Sequence, residues 1–309
     1  MIIKNTGKII DGLYMVGTSV MPVYLLDTEK PAIFDAGLAF FGKIYADGIR
    51  QILGRRNPQY CFLTHSHFDH CGSVSGLKNE FSNLKVAASA RAKNVLGRPN
   101  AIALIRKLTR ANEKLAKTVG FELTGFARFE PFDVDVILKE GDSIELSAGL
   151  TVQVFETPGH TRDCLSYFIP EKKVLFCSEA AGVPDLNGYI VSEALVDFDQ
   201  YYESMRRLSQ LDVEVLCLGH RQAITGRDAQ NYFQKSMAHC RDFFNLVASS
   251  LTEEGNDVRK VVARVKALQY DPIKGPKQSE PAYLLNLEAK VKAIQRRIDN
   301  RSNDFKIPN

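Results

Sequence analysis

The sequence predicts an α+β protein with a sheet-rich domain over residues 1–226 and a helical extension over 227–309. Three observations point there. Short strand-like apolar runs come in two batches, within residues 8–34 and 132–177. Segments of three- and four-residue periodicity separate those batches. After Gly226 the strand signal stops and long helical patterns take over.

Taken in order, residues 8–34 carry IIDGLYMV, VYLL and AIF between Gly, Asp and Pro, the pattern of antiparallel strands joined by turns. Phe41, Ile44, Tyr45, Ile49 and Ile52 recur at helical spacing and predict a helix laid on that sheet. Residues 60–63 are an apolar run ending in the polar cluster THSHFDH, as a buried strand would deliver it. A helix is expected over 72–81 and a short strand over 85–88. In the basic stretch 89–119, Ile105, Leu108, Ala111, Leu115 and Val119 form one apolar stripe, which predicts an inserted helix. The second batch reads VDVIL, SIEL, LTVQVFE, LSYFI and KVLFC. A helix over 199–211 and the strand VEVLCLG complete it. In the extension, Leu284, Leu287, Val291, Ile294 and Ile298 define the buried face of a last helix, with Ser279 as N-cap and Pro281 in its first turn. The polar final dozen residues are expected to fray. No repeat of fixed period and no low-complexity segment interrupts the chain.

With 45% apolar and 25% charged residues, the 309-residue chain has the composition of a globular protein large enough for a substantial core. The amino terminus lacks an apolar h-region and no run of 18 apolar residues follows, so neither a signal peptide nor a membrane span is expected. Cys61, Cys71, Cys164, Cys177, Cys217 and Cys240 lack CxxC spacing and sit mostly in apolar runs, which fits a reducing cytoplasm. A net charge of +4 is too mild to argue for nucleic acid as a partner. A homodimer is left open.

The chemistry concentrates in His65-Ser66-His67-Phe68-Asp69-His70, which holds three of the six histidines. Three imidazoles and a carboxylate in six residues form a dense set of nitrogen and oxygen donors of the kind that ligates Zn, Fe or Mn. In an extended segment leaving a strand, His65 and His67 point the same way. Asp69 and His70 then follow on a turn opening the next helix. His160 after VQVFETPG, Glu179 after VLFCS and His220 after VEVLCLG each stand just beyond an apolar strand, and that recurrence makes each a candidate ligand. Asp163 is the expected acceptor for the second ring nitrogen of His160, since a ligating imidazole usually donates its other N–H. His239 has no ligand spacing and is expected to be structural, and Cys71 is expected to be a buried helix start.

HSHFDH, TPGHT, a strand followed by an acidic residue and then LGH, in this order and spacing, resemble the metallo-β-lactamase superfamily over residues 8–226. The resemblance implies an αββα sandwich of two mixed sheets flanked by helices, with the metal site at strand-end loops along one edge. It also implies two divalent or mixed-valence metal ions (Fe, Zn or Mn), one held by His65, His67 and His160 and the other by Asp69, His70 and His220. A bridging carboxylate touches both ions and is normally Asp in a Gly-Asp dipeptide. This chain has Ser178-Glu179 there, a longer arm that changes the metal spacing. Between two metals a water loses its proton near neutral pH, so no Ser or Cys nucleophile is needed. Asp69 is then placed to orient the resulting hydroxide as a base.

THSHFDHCG, the helical insertion, FCSEA, YYESM, LGH and the helical tail are together similar to the quinolone-signal response thioesterases of that superfamily, from which the chain departs at Glu179. This likeness implies hydrolysis of a thioester or a related activated ester or lactone, with the extension covering the active site. A thiolate leaves readily, so no dedicated general acid is required. The cations Arg91, Lys93, Arg98, Arg106, Lys107, Arg110, Lys114 and Lys117 read first as a solvated face. The other reading is a receptor for the phosphates of a coenzyme A thioester. Residues 183–196, soon after Glu179, are expected to line the pocket of a small-molecule substrate, with Leu186, Tyr189 and Leu195 in contact. Two other readings stand beside this one: a phosphodiesterase on a small substrate, and a regulatory, protein-binding scaffold with a weakened metal site. A redox role fits less well, because diiron flavoprotein relatives carry Glu where this chain has His67.

Overall fold

A computed structural model describes residues 1–118, 123, 128–274 and 277–300. The chain divides into two units. Residues 1–156, 163–179 and 212–230 form the first, and residues 157–162, 180–211 and those from 231 onward form the second. The last stretch of the second unit begins at residue 231, and that unit also draws on residues 157–162 and 180–211.

The first unit holds two seven-stranded sheets. After β1 (Ile2–Ile3), an antiparallel meander runs through β2 (Gly7–Ile10), β3 (Leu13–Gly17), β4 (Pro22–Leu26) and β5 (Ala32–Phe34). Helix α1 (Gly42–Leu53) then carries the chain over to β6 (Tyr60–Phe62), which pairs parallel to β5. Short helices α2 (Phe68–Cys71) and α3 (Val74–Glu80) lead to β7 (Lys85–Ser89), and α4 (Ala90–Leu96) and α5 (Pro99–Thr118) precede β8 (Val136–Leu138). Strands β6, β7 and β8 are also parallel neighbours, so the first sheet is mixed. The second sheet is built from β9 (Ser143–Ser147), β10 (Leu150–Glu156), β11 (Leu165–Ile169) and β12 (Val174–Phe176). It closes with β15 (Val215–Cys217) and β16 (Ala223–Thr225), in the order β1-β16-β15-β12-β11-β10-β9. Only the β12–β15 pair is parallel in that sheet. Two sheets flanked by helices are the sandwich the sequence predicts.

Alternation explains the sandwich core. In β10, Val152 and Val154 are buried while Gln153 between them is exposed. Leu13, Met15, Phe34 and Phe62 from the first sheet meet Val154, Tyr167, Phe176 and Cys217 from the second. The Phe34 and Phe176 rings stack at 3.6 Å, and Phe34 also stacks on Phe62 at 5.3 Å. The other face of the first sheet is covered by helices whose apolar stripes read directly from the sequence: Tyr45, Ala46, Ile49 and Leu53 of α1 join Val16 and Val23 there.

The insertion differs from the expected single helix. It breaks at Gly97-Arg98-Pro99, because Gly97 caps α4 and Pro99 has no N–H to continue the ladder. The buried face of α5 runs through Ile105, Thr109 and Ala116, while Ala111 of the expected stripe is exposed. Val119 lies outside the described residues.

In the second unit, residues 183–191 form a small hairpin of β13 (Val183–Pro184) and β14 (Ile190–Val191). Asp197 caps α6 (Phe198–Leu208) by accepting from the Gln200 N–H. The long helix α7 (Arg227–Glu253) is followed by α8 (Val258–Gln269), capped by Asp257, and by α9 (Glu280–Asn300). The Ser279 carbonyl accepts the first bond of α9, from Tyr283. Leu287, Val291 and Ile294 are buried as expected. Ile298 is exposed, and Lys290 is buried among them. Among the described residues, no helix is long and apolar enough to cross a membrane.

Candidate metal centre

Parallel strands end side by side, and both sheets use this to present polar groups. In the first sheet Phe34 pairs with Phe62, so Asp35 and the segment 63–67 leave the sheet together. Asp35 takes a positive φ of 59°, a conformation Asp tolerates, and its N–H donates to the Phe62 carbonyl. In the second sheet Phe176 pairs with Cys217, so Glu179 and His220 follow neighbouring strands in the same way.

His65, His67, Asp69, His70, Glu179 and His220 all belong to the first unit, and they converge. One ligand atom each from His65, His70 and Glu179 lies within 4.8 Å of the other two, and the same holds for Asp69, His70 and His220. Glu179 Oε1 is 2.9 Å from His70 Nε2 and 2.6 Å from His220 Nε2, and its Oε2 is 3.7 Å from His65 Nε2. Asp69 Oδ2 stands 3.9 Å from His220 Nε2. The His65 and His67 rings lie edge to face at 4.6 Å. The longer arm of Glu179, following a sequence that departs from Gly-Asp, therefore reaches three histidines. Ser178 holds that arm with its hydroxyl, and does so from a left-handed φ of 47°.

The nitrogens turned away from this cluster are also engaged. His70 Nδ1 is 2.8 Å from Asp35 Oδ2. Thr64 Oγ1 donates to Asp35 and stands 3.0 Å from His65 Nδ1, which makes it the acceptor for that ring. Both rings thus keep their Nδ1 proton outward and turn Nε2 inward, the atom a metal would take in place of a proton. His220 Nδ1 faces Met21 Sδ at 3.1 Å. Asp163, expected to support His160, instead accepts the Ser66 N–H at 2.8 Å and so holds the HSH segment in place.

Electrostatics agree with the geometry. Burial opposes charging the His70 ring, but the carboxylates of Glu179, Asp35 and Asp69 outweigh it and hold that imidazolium well above the ordinary histidine value. Burial also opposes ionising Glu179. The rings of His70, His65 and His220 outweigh it and hold the carboxyl well below the usual range. A buried carboxylate facing inward-directed imidazole nitrogens fits a divalent cation by charge, donor type and orientation.

His160 belongs to the second unit, on the turn after β10. It is buried, and its Nδ1 lies 2.8 Å from the Glu193 carbonyl. Gly159 before it has φ +130°, and a Cβ there would come within 2.3 Å of the Tyr201 backbone. Of the three residues expected to contact substrate, Leu186 is exposed at the hairpin tip and Leu195 is half-buried. Tyr189 stacks on His239 at 4.4 Å. His239 also accepts the Ile190 N–H, the structural role its spacing predicts. Cys71 is buried in α2, as expected.

Asp35 and Thr64 were not singled out in the sequence. The strand-end rule that marks His160, Glu179 and His220 marks Asp35 as well, since it directly follows AIF. Asp-Ala-Gly there also reads as an ordinary turn, which conceals it.

The chain belongs to the metallo-β-lactamase superfamily, a superfamily of metal-dependent hydrolases that typically bind divalent metals; the family profile matches residues 19–220. A hydroxyacylglutathione hydrolase from Rhodopseudomonas palustris (strain BisB5) is 29% identical over 117 residues, 38% of this chain and 31% of that protein. A beta-lactamase-like protein 2 homolog from Caenorhabditis elegans is 23% identical over 213 residues, covering 67% of this chain and 54% of the relative. The chain thus spans between about a third and about a half of these curated relatives. Among solved structures, a metallo-beta-lactamase family protein from Thermus thermophilus superposes with a TM-score of 0.64 at 18% identity, covering 95% of both chains. An archaeal superfamily protein from Sulfolobus tokodaii gives 0.56 at 17% identity, covering 96% of this chain and 98% of that one. At these identities the structural likeness establishes the fold alone.

Proposed function

We propose that this protein hydrolyses a thioester, or a related activated ester or lactone, at a two-metal centre. In this reading the order of the motifs assigns His65, His67 and His160 to one metal and Asp69, His70 and His220 to the other, with Glu179 beside His70 and His220. The observation that carries it is the convergence of His65, His70, His220 and Glu179, with the outer nitrogens of His65 and His70 already taken by Thr64 and Asp35.

Divalent metals held there supply Lewis acidity and bring the ionisation of water close to neutral pH. The protein's own groups do the rest. Asp35 and Thr64 fix the ring tautomers, Asp69 is placed to orient the attacking water, and Glu179 balances the metal charge in a buried setting. A thiolate departs without a proton donor, which matches a centre built from ligands alone. The hydroxyacylglutathione hydrolase relative supports the substrate class, because an acylglutathione is a thioester. A small molecule is the expected partner. A coenzyme A carrier is one form of it, although Arg106 and Lys117 of the basic helix already pair with Glu130 and Glu113.

The test is a panel of acyl-glutathione and acyl-coenzyme A thioesters, lactones, aryl esters and phosphodiesters, run on full-length protein loaded separately with Zn, Mn and Fe. Thioester or lactone turnover that disappears in the His65→Ala/His67→Ala variant is expected. Phosphodiester cleavage exceeding ester cleavage would replace this reading with a phosphodiesterase. A folded protein that takes up no metal and turns over nothing would replace it with a scaffold.

A further inference from the structure

Within the second unit, the segment 193–199 is gripped from two sides. Toward the His160 turn, the Glu193 carbonyl lies 2.8 Å from His160 Nδ1, and the N–H groups of Val196 and Asp197 donate to the Gly159 carbonyl at 3.0 and 3.2 Å. Toward α9, three cations reach the same segment. Lys290 Nζ is 3.2 Å from Glu193 Oε1, Arg296 donates to the Val196 carbonyl at 3.0 Å, and Arg297 Nε is 2.6 Å from Asp199 Oδ1.

The Lys290–Glu193 pair is the unusual member. Lys290 is 3% exposed, sits on the apolar face with Leu287, Val291 and Ile294, and places its Nζ 5.5 Å from the Phe243 ring centroid. Glu193 is 8% exposed. Desolvating both charges largely cancels their attraction, so such a pair contributes little to stability compared with apolar packing. What it supplies is register, because only one placement of the 193 segment on α9 leaves neither charge unpaired.

We propose that α9 is a positioning element for His160: the buried Lys290–Glu193 pair, backed by Arg296 and Arg297, fixes the peptide whose carbonyl sets that ring's orientation and tautomer. A carbonyl can only accept, so it selects the Nδ1–H form and leaves Nε2 to ligate. In this way α9 acts on the His160 ring through one peptide group. This inference rests on the reading of His160 as a ligand.

The experiment titrates zinc into the metal-free full chain against a chromophoric chelator and follows the His160 ring nitrogens by NMR. Lys290→Met should weaken zinc binding about tenfold or more, the effect of loosening a ligand's support, and should give a mixture of His160 tautomers. Lys290→Arg should recover most of the affinity. Val247→Ala, a buried change in α7, is the stability control and should leave zinc affinity unchanged. Wild-type affinity with a single Nδ1–H tautomer in Lys290→Met overturns the proposal, as does an equal loss in Val247→Ala. Should Lys290→Met not fold, Glu193→Gln carries the same expectation and the same overturning result. His160→Ala separates the two levels. If it keeps full zinc affinity, the ligand reading itself fails; if it loses affinity while Lys290→Met does not, only the role of α9 fails.

Discussion

Asp35 serves two histidines at once, His70 directly and His65 through the Thr64 hydroxyl. Asp35→Ala should therefore lower zinc affinity by about 10- to 100-fold, and Thr64→Val by less, since it cuts only the His65 arm. Equal affinities for all three proteins in a chelator competition would remove Asp35 from the site. The His70–Glu179 pair makes a pH prediction. The raised His70 value contributes stability that is complete below about pH 6.5, the ordinary histidine value, and is lost as pH climbs through the folded value. The lowered Glu179 value contributes stability above about pH 4.3, lost only as pH falls through its depressed value. A metal must displace the His70 proton, so binding strengthens over the range in which the metal-free pair weakens. The difference in melting temperature between zinc-loaded and metal-free protein should widen as pH rises toward the folded His70 value and level off above it, and Glu179→Gln should shrink that widening. A gap independent of pH would contradict the assignment. Of the seven proposed ligands, the histidines were legible because histidine is scarce in this chain and they cluster in the segments that follow apolar strands. Lys290 was not, because a lysine in an apolar stripe reads as a solvent-facing interruption.

At the level of elements, the apolar strand runs announced themselves, whereas β1, β13, β14 and β16 did not. Two or three residues cannot display a period, and their partners lie far along the chain or across a turn. The two-helix form of the insertion was hidden for a different reason: the apolar spacing continues across Gly97-Arg98-Pro99, while the backbone there cannot. The Gly159 turn offers a clean test of how tightly elements are fitted. With φ at +130° and the Tyr201 backbone 2.3 Å from any added Cβ, Gly159→Ala should destabilise the fold by on the order of 3 kcal/mol, because α6 or the turn must move. A denaturant midpoint equal to that of the wild type would show that the turn yields easily.

For the whole molecule, the helical tail and the interior segment 180–211 belong to one unit, joined by bonds such as Ser236 to the Ala181 carbonyl and Arg297 to Asp199. A chain ending at Gly226 would leave that segment without its partners, and it should aggregate or bind apolar dyes. A soluble truncate with native near-ultraviolet dichroism would show that the sheets need no tail. All six cysteines are buried thiols, and burial pushes the Cys240 thiol up to about 12. Ellman's reagent at neutral pH should therefore find almost no reactive thiol in the native protein and six after denaturation. Rapid native labelling would mean that the core opens readily.

The pairing of parallel strands noted above has a consequence for how such a protein changes over time. The proposed ligands in the first unit follow the carboxyl ends of strands, in loops or in the short helix α2, so the hydrophobic interior and the reactive groups are encoded in adjoining but separate stretches. Loops can lengthen, or exchange one acid for a longer one, while the pleated layers beneath keep their register. Substrate range can then drift across descendants without the architecture having to be reinvented.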